Sequence, residues 1–183
     1  MLKVGISGKI AAGKSEVENI LQTLGYNVFD LDKISHDLLE NNEKIKAHIL
    51  DEFKTLNRKE LGKIVFSDNI KKQKLENIIH PELKNIILDI FEKNQEESAV
   101  FISGALLFKT GFDKLFDKTI FINSKDEIRL ERLIKRNNLS KKEALDRLHL
   151  QDEGDRADFI IENNSDINEL KTKIEKLIKE LNI

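Results

Sequence analysis

Short apolar runs alternate along this chain with longer stretches in which apolar residues recur every three or four positions. Five runs have the length and composition of buried strands, and they lie at 2–7, 26–29, 98–103, 118–122 and 158–161. After the first run, and again over 167–181, the spacing of apolar residues predicts amphipathic helices. Strands that alternate with helices predict an α/β fold with a five-stranded parallel sheet, flanked by helices and joined by right-handed crossovers.

The segment between the second and third strands departs from this alternation. It is rich in helical patterns, has almost no glycine and carries the only proline, Pro81. Its predicted helices cover 34–39, 44–53, 59–66 and 70–91, and the last is interrupted near His80 because proline restricts the residue before it. We therefore predict a helical insertion over 33–94.

Two further helices are predicted after the fourth strand, each opening with a capping box. Ser124 is followed by Glu127, and Ser140 by Glu143, which is the spacing that satisfies two backbone donors at a helix start. We predict that this helical pair, over 123–151, forms a lid that closes on a bound ligand.

Composition and charge narrow the class of protein. The 183 residues carry a net charge of −2, so no general basic field favours nucleic acid or an anionic membrane surface. The absence of cysteine excludes disulfides, thiolate metal sites and cysteine nucleophiles. The sequence shows no signal-peptide pattern and no apolar run near the roughly 18 residues that span a bilayer. We expect a cytoplasmic protein, either a monomer or a weak homo-oligomer.

The strongest candidate for chemistry is a glycine-rich motif between the first strand and the first helix. Residues 8–15, Gly-Lys-Ile-Ala-Ala-Gly-Lys-Ser, match the phosphate-binding pattern G-x-x-x-x-G-K-[ST] in full. In such a loop the backbone N–H groups and the helix N-terminus surround the phosphates. Lys14 is then expected to reach the outer phosphates, and the Ser15 hydroxyl to be a ligand of Mg²⁺.

Two carboxylates follow the second strand. Ligands of open parallel sheets bind beyond the carboxyl ends of the strands, so Asp30 and Asp32 are expected at the same rim as the loop. Alternation along an extended chain would place both on one side. A carboxylate there can orient an attacking hydroxyl, accept its proton or hold Mg²⁺ through water. The alternative is that these residues only cap the helix at 34–39.

Three arginines of the predicted lid share one helical face. Arg129, Arg132 and Arg136 lie three, four and seven positions apart, and like charges at such spacing cost roughly 0.2–0.5 kcal/mol per pair. The face therefore either lies in open solvent or meets an anion such as a phosphate, which the planar guanidinium suits.

The insertion contributes two weaker candidates. Arg58 is able to serve an anionic substrate, although a lone arginine is by default a solvated charge. His80 precedes the proline, and none of the histidines has metal-ligand spacing, so packing is its default interpretation.

Taken together, these motifs resemble the dephospho-coenzyme A kinase family. The run over 24–36 matches a signature of the form L-G-x-x-V-x-D-x-D-x-I-x-H. The other matching segments are 5–15, 58–61, 65–66, 79–81, 106–108, 132–136, Gln151 and 157–163. The resemblance spans most of the chain, and the combination is specific where the loop alone is not.

The resemblance implies a fold and a reaction. The fold would be a P-loop kinase-like core over 1–32, 95–122 and 152–183, with 33–94 as the acceptor-binding insertion and 123–151 as the lid. The reaction would be ATP-dependent phosphorylation of the ribose 3′-hydroxyl of dephospho-CoA, with Mg²⁺ as cofactor. The implied catalytic residues are Asp32 as general base, Lys14, Arg132 and Arg136. The implied ATP contacts are Gly8, Lys9, Ile10, Ala11, Ala12, Gly13, Lys14, Ser15 and Glu16. The acceptor contacts would be Asp32, Arg58 and His80.

Several positions depart from the family pattern. Glu16 stands where the family usually has threonine, and Ser103-Gly104-Ala105 replaces the usual Asp-x-Pro. Lys109 replaces a glutamate, and an arginine usual after Gln151 is absent. Two alternatives stay open at this point, a kinase of another small acceptor and a non-catalytic relative that binds ATP. A GTPase-like switch is disfavoured, because the chain lacks D-x-x-G and N-K-x-D patterns.

Overall fold

A computed structural model describes residues 1–148 and 154–183 of the chain and divides them into two compact units. The first unit comprises Met1–Asp30 and Asn94–Ile183, and the second comprises Leu31–Lys93. In chain order the elements are β1 (Leu2–Gly8), α1 (Lys14–Thr23), β2 (Asn27–Asp30), α2 (Leu31–Asn41), α3 (Glu43–Phe53), α4 (Arg58–Ser67), α5 (Asn69–Lys93), β3 (Ala99–Ser103), α6 (Leu107–Thr110), a short 3₁₀ helix (Phe112–Leu115), β4 (Lys118–Asn123), α7 (Asp126–Asn137), α8 (Lys141–Leu148), β5 (Phe159–Glu162) and α9 (Ile167–Glu180).

The first unit is built on a five-stranded sheet in the order β2-β3-β1-β4-β5. Every neighbouring pair is parallel, so the predicted five-stranded parallel α/β fold is confirmed. Strand β1 occupies the centre, where Ile6 pairs with Ser103 of β3 on one side and with Ile120 of β4 on the other. The carboxyl ends of the strands therefore meet at one edge, which is where β1 passes into the loop at residues 8–15.

The apolar runs of the central strands form the core of this unit. All five residues of β3 are buried, as are the last five of β1, which explains why both strands are continuous apolar runs rather than alternating ones. Helices α1 and α9 contribute their apolar faces to the same core. Burial of apolar surface is favourable by about 25 cal/mol per Å². The core therefore stabilises the sheet whose edge carries the loop.

Of the two capping boxes predicted in the first unit, one forms and the other does not. The capping box at Ser140 is confirmed, since its hydroxyl accepts from the Glu143 N–H at 3.3 Å while the Glu143 carboxylate accepts from the Ser140 N–H at 2.9 Å. The predicted box at Ser124 is wrong: α7 begins at Asp126, Lys125 occupies the cap position without a side-chain cap bond, and Ser124 is buried. Because Ser124 is buried just after β4, its hydroxyl does not cap α7.

The second unit consists of helices α2 to α5. The predicted interruption of its last helix is wrong, because α5 runs from Asn69 to Lys93 with Pro81 inside it. Proline removes one helical hydrogen bond, but the helix continues because apolar residues on both sides of it, including Ile79 and Leu83, are buried. Asp68 satisfies the first turn by accepting from the N–H groups of Ile70 and Lys71. None of the helices in residues 1–148 and 154–183 has the run of apolar residues that a membrane span requires.

Candidate functional site: a phosphate-binding loop at the sheet edge

The loop that follows β1 is folded on itself by backbone bonds. The Lys9 N–H donates to the Ile122 carbonyl of β4 at 3.0 Å, and the Ala12 N–H donates to the Lys9 carbonyl at 3.0 Å. Ala11 and Gly13 both have left-handed backbone angles, with φ of 60° and 104°. Alternation of left- and right-handed residues turns successive N–H groups toward one concavity, which is the arrangement that binds anions.

Glycine is required at both positions of the motif, for a different physical reason at each. A Cβ on Gly8 would lie 2.7 Å from the carbonyl oxygen of Ile122, so only glycine lets β1 and β4 approach this closely. Gly13 combines its left-handed φ with a Cβ position that the side-chain amide of Asn163 already occupies. The two glycines are thus fixed by the neighbouring chain as well as by the ligand they are expected to bind.

The carbonyl of Ala12 is held by two side chains from outside the loop. Asn163, which directly follows β5, donates from Nδ2 at 2.8 Å, and Arg132 of α7 donates from Nη1 at 3.3 Å. Asn163 is only 5% exposed, and its own N–H donates to the Asn123 carbonyl at 2.8 Å. The residue therefore joins β4, β5 and the loop into one rigid piece.

Helix α7 also packs directly on the loop. Arg129 is buried, donates from Nη1 to the Ile10 carbonyl at 3.4 Å and forms an ion pair with Asp126 at 2.8 Å. Ile10 and Ala11 pack against the apolar cluster that α7 forms with α8. Of the three predicted face arginines, Arg129 is therefore buried against the loop and Arg132 is half-buried beside Ala12. Arg136 is exposed, and its Nε donates to Asn137 at 3.0 Å.

The loop lysine lies at the sheet edge, close to two side chains of this unit. The Nζ of Lys14 is 3.1 Å from Oε1 of Glu18, one turn further along α1, and 3.4 Å from Oγ of Ser103 at the end of β3. Glu18 is buried, with 7% of the residue exposed. Neither contact was part of the sequence argument, and the i,i+4 spacing of Lys14 and Glu18 is the signal that could have found the first.

The residues that open α1 fit an oxygen-bound divalent cation. Ser15 and Glu16 are exposed in the first helical turn, while Ser103 and Glu18 lie around the lysine. Hydroxyl and carboxylate oxygens are ligands that Mg²⁺ accepts, and this ion commonly uses one or two protein groups together with substrate phosphates. Among the described residues there is no cluster of three or more acidic, histidine or cysteine side chains that could hold a metal by itself.

Asp30 and Asp32 lie in different elements. Asp30 is the last residue of β2, in register with Ser103 of β3, so it lies at the same sheet edge as the loop. Asp32 is the second residue of α2 and is exposed. The expectation that both project to one side of an extended chain is therefore wrong. Their expected role as caps of a helix at 34–39 is wrong too, because the helix already begins at Leu31. An acid in the first helical turn remains favourable for the helix dipole.

Candidates in the helical unit take part in local contacts. Arg58 lies at the start of α4 with its Nη1 3.0 Å from Nδ1 of His36, whose Nε2 is 3.2 Å from Glu40. Arg58 is therefore one of three polar groups that lie together on exposed surface. His80 is half-buried in α5, and burial lowers its pKa below the ordinary value, although the charge of Glu76 partly opposes the shift.

The segment around Gln151, where the family usually has a further arginine, is only partly described. Gln151, with the end of the predicted lid, lies in the undescribed gap. The Nη2 of Arg156 donates to the Phe108 carbonyl at 2.8 Å, and its guanidinium lies 5.8 Å from the centre of the Phe108 ring.

Comparison with known proteins places this geometry in a family. A family model described as dephospho-CoA kinase matches residues 2–169. A dephospho-CoA kinase of Oceanobacillus iheyensis is 34% identical over all of this chain and 98% of that protein. The fold is similar to that of the protein TT1252 from Thermus thermophilus, with a TM-score of 0.85 and 30% identity over 98% of this chain and 97% of that one. It is also similar to a dephospho-CoA kinase from Campylobacter jejuni, with a TM-score of 0.69 and 31% identity over 98% and 96% of the two chains.

Proposed function

The chain belongs to the dephospho-CoA kinase family, and we propose that it transfers the γ-phosphate of ATP to the ribose 3′-hydroxyl of dephospho-CoA, giving coenzyme A. The observation that carries the proposal is the folded G-x-x-x-x-G-K-S loop at the carboxyl edge of a parallel sheet, in a chain that the family model matches over residues 2–169. We also propose that the protein works in the cytoplasm, where ATP is supplied.

The donor side of the reaction is assigned to the loop. The backbone N–H groups of residues 8–16 and the N-terminus of α1 would surround the phosphates of ATP. Lys14 would leave its contact with Glu18 and neutralise the outer phosphates, while Arg132 and Arg136 would stabilise the charge of the transferred group. Mg²⁺ bound with ATP would add further positive charge at these oxygens, with the Ser15 hydroxyl as its protein ligand.

The acceptor side is assigned to Asp32, Arg58 and His80. In the transfer step the 3′-oxygen forms a bond to the γ-phosphorus while the bond from that phosphorus to the β–γ bridging oxygen breaks. The hydroxyl proton goes to the carboxylate of Asp32, and ADP leaves with the bridging oxygen. Because the transition state is loose, alignment of the hydroxyl matters more than the strength of the base.

The proposal is tested by coupled measurement of ADP release with purified protein, ATP, Mg²⁺ and dephospho-CoA. We expect turnover with dephospho-CoA well above that with other nucleosides or nucleotides offered as acceptors. A folded protein that releases no ADP above background with dephospho-CoA would refute the assignment.

A substitution at Asp32 separates its role from nucleotide binding. Asp32→Asn is expected to lower kcat by about 10²–10⁴, the range for loss of a positioned base, with ATP affinity unchanged. Asp37→Asn is the matched control, because Asp37 is another exposed aspartate of α2. An Asp32→Asn protein with the kcat of the control would remove Asp32 from the base role.

A further inference from the structure

The phosphate-binding loop is accompanied by an acid that its sequence pattern does not require. Glu18 lies one helical turn after Lys14, with the ammonium and carboxylate 3.1 Å apart. The Glu18 side chain is 9% exposed and that of Lys14 is 17% exposed, so the pair is shielded from water on most sides. The Oγ of Ser103 is 3.4 Å from the same ammonium.

A buried carboxylate is stable only with a cation or hydrogen-bond donors beside it. In the proposed reaction, Lys14 turns to the outer phosphates of ATP and shares its charge with them. The phosphates also bring several negative charges toward Glu18. ATP without a divalent cation would therefore meet repulsion from Glu18, whereas ATP with Mg²⁺ would bring a cation that offsets both sets of negative charge.

The neighbouring strand gives Glu18 a definite place in this scheme. In P-loop enzymes the Mg²⁺ is held by the loop Ser or Thr together with an aspartate outside the loop. Here β3, which pairs directly with β1, ends in the neutral Ser103, and that hydroxyl lies beside Lys14. A carboxylate next to the loop lysine comes from Glu18 of α1.

We propose that Glu18 supplies the carboxylate that makes nucleotide binding depend on Mg²⁺, in place of an acid at the end of β3. This inference rests on the proposed ATP-dependent function. It assigns Glu18 a positioning role, because the residue acts through Lys14 and through the cation rather than on the acceptor.

The test is calorimetric titration of ATP into the wild-type protein and its variants, with EDTA and with Mg²⁺, in the absence of dephospho-CoA. The measured quantity is the ratio of the ATP Kd in EDTA to that in Mg²⁺. For Glu18→Gln we expect this ratio to fall by about tenfold or more, because a unit charge a few ångströms from the phosphates interacts strongly with them. Glu180→Gln is the matched control in the same unit, since Glu180 is an exposed glutamate at the end of α9, and its ratio should stay at the wild-type value.

The outcomes separate a charge role from a merely structural one. If Glu18 only fixes the geometry of Lys14, Glu18→Gln will weaken both forms of ATP by the same factor, and an unchanged ratio would overturn the proposal. The proposal would also be overturned if Asp30→Asn lost the Mg²⁺ dependence while Glu18→Gln kept it. The titration contains no acceptor, so failure of dephospho-CoA phosphorylation would not affect its result.

A second variant and a second measurement keep the test decisive if Glu18→Gln does not fold. The combination of Glu18→Gln with Ser103→Asp returns a carboxylate to the side of Lys14, and we expect it to restore the wild-type ratio. Mn²⁺ titration of the ADP complex, followed by electron paramagnetic resonance, should show weaker Mn²⁺ binding in Glu18→Gln and recovery in the double variant. A double variant that binds ATP equally with and without Mg²⁺ would contradict the inference.

Discussion

The contact between Asn163 and the loop offers a direct measure of how much of the site is preorganised. Asn163→Ala removes the 2.8 Å hydrogen bond to the Ala12 carbonyl, in a side chain that is almost fully buried. The carbonyl is left with Arg132 as its side-chain donor, at 3.3 Å. Loss of one partner of a buried polar group costs about 1–3 kcal/mol.

This magnitude sets the expected signals. For a chain of this length, about 1–3 kcal/mol corresponds to a fall in the unfolding midpoint of roughly 2–12 °C. Part of the same free energy reappears in ligand binding, because ATP must then order the loop. We expect ATP affinity to fall by up to about tenfold, since 1.4 kcal/mol corresponds to a factor of ten.

The assay is thermal unfolding of the unliganded protein together with calorimetric titration of ATP. Asn168→Ala is the control, because Asn168 is an exposed residue near the start of α9 and undergoes the same truncation. Arg132→Ala should lower the free energy of unfolding by about 0.5–3 kcal/mol more in the Asn163→Ala background than in wild type, because both residues donate to one carbonyl. Equal midpoints and ATP affinities for Asn163→Ala and Asn168→Ala would refute the argument that Asn163 holds the loop.

Three further predictions concern backbone strain and pH. Gly13→Ala should lower the free energy of unfolding by about 1–3 kcal/mol in urea titration, since φ there is 104°, whereas Gly62→Ala within α4 should not; equal effects would contradict this. Burial raises the pKa of Asp158, but the bonds from the Thr119 hydroxyl and N–H, together with the nearby charge of Lys118, outweigh burial, so the pKa lies below its ordinary value. The stabilisation from Asp158 is complete above about pH 4, the pKa of an unfolded aspartate, and is lost as the pH falls through the lower pKa of the folded protein. Asp158→Asn should therefore make the free energy of unfolding less dependent on pH in this acid range. A pH dependence equal to that of wild type would exclude this role. Burial lowers the pKa of His80, so its neutral form stabilises the folded protein above about pH 6.5 and this stabilisation is lost as the pH falls. His80→Gln should therefore lose less free energy of unfolding on acidification than wild type does. Urea titrations at several pH values that give the same loss for both proteins would count against this role.

The pattern of apolar residues predicts best the strands, which are buried in one parallel sheet. All five strands and their parallel pairing follow from short apolar runs separated by helical spacing. Residues at element boundaries were harder, because tertiary packing decides them. Ser124 has the sequence of a cap and is instead buried, and Pro81 does not break a helix that apolar contacts hold on both sides.

The candidate site divides in the same way. The loop could be predicted because its function needs a fixed pattern of glycines, lysine and serine within eight consecutive residues. Asn163 could not be assigned to the loop from sequence, since it meets Ala12 only through the pairing of β4 with β5. Arg129 was predicted on a face that either lies in solvent or meets an anion, but it is buried, and its ion pair with Asp126 and its contact with Ile10 make it a support of the loop backbone.

The pairing of β2 with β3 has a consequence for the order of folding. These strands are neighbours in the sheet, yet the whole of Leu31–Lys93 lies between them in the chain, and Asn27 donates to Asn94 at 2.8 Å across the base of that connection. Closing so long a connection costs configurational entropy, whereas the helical contacts within it are local and form quickly. We therefore expect helices α2 to α5 to condense early and shorten the effective connection before β2 docks on the sheet. The edge strand, which carries Asp30, would be the last strand to join.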